Sequence, residues 1–86
     1  MLHKLKIGSS FLDKIIDGTK KYEIRKDDRD FQTGDELLLN EYDLNEQKYL
    51  DRSIKVVVID VFGRRKEEKQ FVRKGHVILS IEWPPE

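Results

Sequence analysis

The stretch SSFLDKIIDGTKKYEIR, residues 9–25, changes its hydrophobic period half-way along, and that change decides the fold class. Phe11, Leu12, Ile15 and Ile16 recur at helical spacing and form one apolar stripe, with Ser9 or Ser10 placed to cap the free N–H groups at its start. Gly18 stands where a left-handed C-terminal cap is expected, so the pattern predicts a helix of about two turns near residues 9–17. From Lys20 to Arg25 the pattern alternates instead. Tyr22 and Ile24 point one way and Lys21, Glu23 and Arg25 the other, which predicts a strand.

The flanking sequence is almost all strand-like. His3 to Ile7 alternates polar and apolar residues, and Glu36 to Tyr42 is leucine-rich with one strongly buried face. Ile54 to Phe62 carries the β-branched run Val56-Val57-Val58-Ile59, which fits a central strand buried on both faces. Val77, Leu79, Ile81 and Trp83 alternate before Pro84-Pro85 ends the last strand. Between these runs, residues 26–30 form a charge-dense connection, Thr33-Gly34-Asp35 a turn, and Asp43 to Arg52 a polar loop. A mainly β (α+β) fold follows: a closed or nearly closed barrel of five to six strands, one short helix across an end, and no second long helix within 63–75.

With 86 residues the chain has room for one domain, and 40% charged against 37% hydrophobic residues is a thin supply for its core. There is no cysteine, hence no disulfide framework and no thiolate metal site. No apolar run approaches the ~20 residues needed to span a bilayer, so a cytoplasmic protein without membrane contact is expected. Seventeen basic and seventeen acidic side chains cancel, which argues against a protein that coats nucleic acid by bulk charge. Charge is nevertheless local. Arg64, Arg65, Lys66, Lys69, Arg73 and Lys74 are opposed in sequence only by Glu67 and Glu68, and they form either a solvated loop or a flank that contacts phosphates.

The block from Gly18 to Asp35 contains Gly18, Lys20, Glu23 and Arg25 in the arrangement Gly-x-Lys-x-x-Glu-x-Arg. This resembles the signature of ASCH domains in the PUA-like superfamily. The continuation Lys-Asp-Asp-Arg-Asp-Phe-Gln-x-Gly-Asp is similar, more closely, to a small bacterial and phage family of uncharacterised PUA-like proteins. The opening His3-x-Leu5-Lys6-Ile7, Glu41-Tyr42-Asp43 and the terminal Gly-His-Val-Ile-Leu-Ser-Ile fit that family too, so the resemblance covers essentially the whole chain. It implies a PUA-like β-barrel with a cleft between helix and barrel that binds or acts on RNA, floored by the signature residues. One branch of ASCH-like proteins hydrolyses N4-acetylcytidine with a lysine, a threonine and a glutamate. Lys20 matches that lysine, but Glu23 stands where the threonine falls, and Thr19, one residue before the lysine, does not match.

The residues themselves agree with a ligand cleft. Glu23 and Arg25 are two apart on a strand, so they share a face at about 7 Å, and Lys20 enters from the helix–strand junction. A carboxylate between two cations stays ionised, while the cations keep donors for a phosphate or a base edge. The competing reading is an internal ion-pair cluster that pins helix to barrel. Asp28 and Arg29 are read as a pair ordering the cleft wall, and Tyr22 and Trp83 as core or barrel-rim aromatics. Tyr42 and Tyr49 offer stacking surfaces for bases. Asp27, Asp28 and Asp30 lack the glycine and distal glutamate of a calcium loop, and His3 and His76 lack acidic partners at zinc spacing, so no metal is expected. No nucleophile triad and no phosphate-cradling glycine loop is present, and no cofactor is implied.

The expectation is an RNA or nucleic-acid-binding domain in which Lys20, Glu23, Arg25 and Arg29 shape the cleft, and Arg64, Arg65 and Lys66 contact phosphates. Two alternatives stand beside it. One is a hydrolase of a modified nucleoside that uses Lys20 and Glu23 as acid and base. The other is a phage or host accessory module that binds a protein.

Overall fold

The computed structural model describes residues 1–85. In chain order the elements are β1 (Leu2–Ile7), α1 (Ser9–Ile16), β2 (Tyr22–Lys26), β3 (Glu36–Asp43), β4 (Lys48–Phe62), α2 (Lys66–Lys69) and β5 (His76–Glu82). The five strands make one sheet in the order β1-β3-β4-β5-β2, curled into a half-barrel. β1 runs parallel to β3, and the other three pairings are antiparallel. The sheet is not sealed by a backbone ladder, because β1 and β2 are its two edges. Two arginines bridge that seam instead. Arg25 Nη2 donates to the Lys6 carbonyl at 2.8 Å, and Arg29 Nη1 donates to the Lys4 carbonyl at 3.3 Å. Edge carbonyls left without a ladder partner are thereby given charged donors.

The concave face holds the core. Leu5 and Ile7 of β1, Leu37 and Leu39 of β3, Val56 and Val58 of β4, and Val77, Leu79 and Ile81 of β5 all turn inward, and Leu12 and Ile15 of α1 close over them. Gly18 takes φ +88°, where a side chain would be strained, and ends α1 as the sequence implies. The wrapped bonds Gly18 N–H to Ile15 O and Thr19 N–H to Lys14 O complete that end.

Several local expectations are corrected. The N-cap of α1 is Gly8, with no side-chain bond, so neither Ser9 nor Ser10 caps it; both lie inside the helix. The apolar stripe splits, because Leu12 and Ile15 are buried while Phe11 and Ile16 remain exposed. β4 is central, as its composition implies, but only one face is covered: Val56 and Val58 are buried and Ile59 is exposed. Among the described residues no second layer packs on the convex side of the sheet. Asp43 to Arg52 is not a loop. β4 begins at Lys48 and pairs with the end of β3, leaving a tight turn at 44–47 in which the Asp43 carboxylate accepts the Asn45 and Glu46 N–H groups. Residues 48–53 are all exposed, so backbone pairing makes this strand without any burial pattern to announce it. Between 63 and 75 there is one further helix, the four-residue α2. Among the described residues no helix is long and apolar enough to cross a membrane.

Candidate functional site

The edge strand β2 turns its charged side inward, which reverses the expectation for Tyr22. Glu23 is 5% exposed, whereas Tyr22 and Ile24 are 46% and 57% exposed on the outer side. A carboxylate tolerates such burial only when it is paired, and here both oxygens are. Lys20 Nζ lies 2.6 Å from Glu23 Oε1, and Arg25 donates through Nε at 2.9 Å to Oε2, with Nη2 at 2.8 Å from the same oxygen. Lys20 also donates to the Tyr22 carbonyl, and its ammonium lies 4.5 Å from the Tyr22 ring centroid and 5.6 Å from that of Phe11. Arg25 continues to the Lys6 carbonyl across the seam, and these contacts leave its Nη1 unused.

The trio floors a groove of about 310 Å³ between the start of α1, the end of β1 and β2. Lys6, Phe11, Lys20, Tyr22, Glu23 and Arg25 supply its chemical character. Two cations, Lys20 and Arg25, meet one carboxylate, and two aromatic rings stand beside the ammonium of Lys20. Lys6 and Phe11 are the residues sequence reasoning missed. The only sign of Lys6 is its outward position in the alternating first strand, and Phe11 looked like core because it shares the apolar stripe of Leu12.

The structure brings Lys20, Glu23 and Arg25 together as expected, and places Arg29 farther along the same seam. Arg29 bonds the Lys4 carbonyl instead of ordering the loop through a pair with Asp28. Arg64 is elsewhere and already engaged: it holds Asp27 through Nη2 at 2.7 Å and Nε at 3.0 Å, and donates Nη1 to the Phe31 carbonyl at 2.6 Å. That fork keeps the Asp27 carboxyl below its usual range, mainly by hydrogen bonding. Arg64 lines a separate hollow of about 590 Å³ with Lys69, Arg73, Lys74 and His76, while Arg65 and Lys66 are exposed at the start of α2 and are not part of that wall. Thr19 does not reach the trio. Its hydroxyl donates to Asp17 Oδ1 at 2.7 Å and Lys14 O at 3.2 Å, behind the end of α1.

Two polar clusters hold the scaffold around the groove. Glu41 is buried and takes Arg52 at 2.8 Å, which also reaches Asp13 of α1 at 2.7 Å; hydrogen bonds from Arg52 and then Ser9 hold the Glu41 carboxyl at about 2. Buried His3 donates Nε2–H to Asp35 Oδ2 at 2.8 Å and packs edge-on against Phe31. That bond is the main reason the Asp35 carboxyl sits at about 2, and the Gln32 N–H and the amino group of Met1 add to it. A carboxyl held below its ordinary 3.8 favours the folded state once ionised. The stability it contributes is complete above that value and is lost as pH falls from about 4 towards 2. Asp35→Asn should therefore lower the urea midpoint at neutral pH and flatten its acid fall, leaving the share due to Glu41 and Asp27. An acid limb of undiminished steepness in Asp35→Asn would remove Asp35 from this account.

Comparison with known proteins finds a relative over part of the chain and a family over most of it. An uncharacterized 12.9 kDa protein in the GpA 3′ region of Escherichia phage P2 is 37% identical over 41 residues, which are 48% of this chain and 38% of that protein. The family described as Domain of unknown function (DUF3850) matches residues 2–81, which takes in the groove and all five strands but for Glu82 at the end of β5. The chain belongs to the DUF3850 family.

Proposed function

We propose that the chain is an ASCH-related, PUA-like nucleic-acid-binding domain whose groove takes a phosphate and base of RNA or a nucleotide-like piece of it. The observation that supports this best is the groove itself: Lys20 and Arg25 against the single carboxylate of Glu23, in a concave surface flanked by Phe11 and Tyr22, with Lys6 in its wall. An anion gains from the excess positive charge, and a base gains a ring face on which to lie. Glu23 sets the geometry by holding both cations from below. Arg25 keeps Nη1 as a single free donor for a phosphate oxygen or a base edge.

If phosphate contacts carry affinity, binding to a single-stranded RNA should fall with salt by about 0.7 in log K per log unit for each contact. Arg65→Glu with Lys66→Glu tests the basic flank without disturbing the Arg64–Asp27 fork, and should weaken all sequences alike. Lys20→Gln tests the groove. Salt-insensitive binding, or full affinity in Lys20→Gln, would count against the reading, and full affinity in the flank variant would leave that segment an ordinary solvated loop.

The hydrolase alternative has less support. Lys20 and Glu23 are spent on one ion pair at 2.6 Å, and Glu23 is further held by Arg25, so neither is free to serve as acid or base towards a substrate. The Thr19 hydroxyl is bonded away from them, and no serine, threonine or cysteine is among the residues that line the groove. Wild-type protein should release no acetate from N4-acetylcytidine. Turnover that disappears in Lys20→Ala would promote the enzyme reading.

A further inference from the structure

The chemistry of the groove is repeated one step away, on the outer face of the sheet. Lys6 lines the groove, yet its ammonium lies 4.2 Å from the ring centroid of Tyr42 and 5.8 Å from that of Tyr49. Tyr42 and Tyr49 are a directly opposed cross-strand pair of β3 and β4, edge-on with ring centroids 5.0 Å apart. The turn beyond them is held by the Asp43 carboxylate, so the pair is fixed by backbone as well as by side chains. Lys6 lies nearer the ring of Tyr42, whereas Tyr49 is 58% exposed. Two stations therefore follow each other, each an ammonium beside two aromatic rings: Lys20 with Phe11 and Tyr22, then Lys6 with Tyr42 and Tyr49.

We infer that Tyr49 is a base-stacking shelf and Lys6 the phosphate contact between it and the groove, so that the ligand is a single-stranded oligonucleotide bridging both stations and not a lone nucleotide. This rests on the groove reading above. An exposed tyrosine face alone would fit a protein partner equally well. The charge decides: a cation stands between two stacking surfaces, as a strand with one backbone anion between successive bases requires, and an apolar protein surface would leave that ammonium unpaired. Stacking on tyrosine is tolerant of sequence, so the shelf adds affinity and site length without reading base edges.

The test uses the intact chain, a 5′-labelled uridylate 12-mer, its deoxythymidylate counterpart and free uridine monophosphate. The two 12-mers separate an RNA from a DNA source. Tyr49→Ala should weaken the 12-mer about tenfold and leave the mononucleotide unaffected, whereas Tyr49→Phe should bind as wild type because only the ring is needed. Lys20→Gln should weaken both ligands. Tyr49 is exposed, so its variants should keep the wild-type urea midpoint, which is measured alongside. A 12-mer affinity within twofold of wild type in Tyr49→Ala overturns the shelf, and with mononucleotide binding intact it leaves the groove reading standing and hands Tyr49 to a protein contact. Loss in Tyr49→Ala with none in Lys20→Gln keeps the shelf and sinks the groove. No binding of either 12-mer to wild type overturns both.

Discussion

Glu23→Ala is expected to destabilise the fold by about 3 kcal/mol, the lower end of the range for removing one partner of a buried ion pair. The carboxylate is almost fully covered, and it is the common acceptor of Lys20 and Arg25. Without it two largely covered cations face each other with only the Tyr22 and Lys6 carbonyls to receive them. The effect lands at the seam, because Arg25 is both the partner of Glu23 and the bridge from β2 to β1. A domain of this length holds roughly 4–13 kcal/mol in total, so the loss is a large share of its stability. Urea denaturation should show a lower midpoint with an unchanged slope. Glu23→Gln, which keeps an acceptor oxygen, should lose less than half as much. An alanine variant within about 1 kcal/mol of wild type would mean that the trio is solvated and the seam is held by something else.

Phe31→Ala should destabilise the protein by about 3–5 kcal/mol, lowering its melting temperature by something of the order of 20 °C. Phe31 is fully buried in a segment without regular structure between β2 and β3. Its ring meets the His3 ring at 4.8 Å, and its carbonyl takes Arg64 Nη1. Removing the ring leaves a cavity and also frees the loop that carries Asp27 and Arg29. Phe31→Leu should recover most of the loss, since it refills much of the volume. Thermal unfolding followed by circular dichroism distinguishes these outcomes, and a melting point unchanged in Phe31→Ala would show that the loop is not anchored through this side chain.

Phe31 also shows where sequence reading lost information. It sits in one of the most charged stretches of the chain, and no periodicity surrounds a single anchor in a loop, so nothing marks it as core. The Arg64–Asp27 fork is invisible for a related reason. Its partners are 37 residues apart, and sequence proximity offered Glu67 and Glu68 as opposing charges instead, although Glu68 is spent on the Gly63 N–H. For the candidate site the types and spacing of Lys20, Glu23 and Arg25 were legible, because alternation puts residues two apart on one face of a strand. Lys6 was not, because it enters the groove from the opposite edge of the sheet.

The order of elements, the end of α1 at Gly18, the central position of β4 and the inward residues of β1, β3 and β5 are written in local pattern. They depend on spacing within one segment and on the conformational freedom of one glycine. The face that β2 buries, the parallel pairing of β1 with β3, the open outer face of β4 and the strand hidden in residues 48–53 depend on neighbours elsewhere in the chain. On β2 the apolar residues lie outside because its inner side meets the seam, where Lys20 and Arg25 neutralise a carboxylate and a hydrocarbon side chain would leave them unpaired. Alternation can state that Tyr22 and Glu23 lie on opposite faces. Only the tertiary arrangement of charge decides which face is inside.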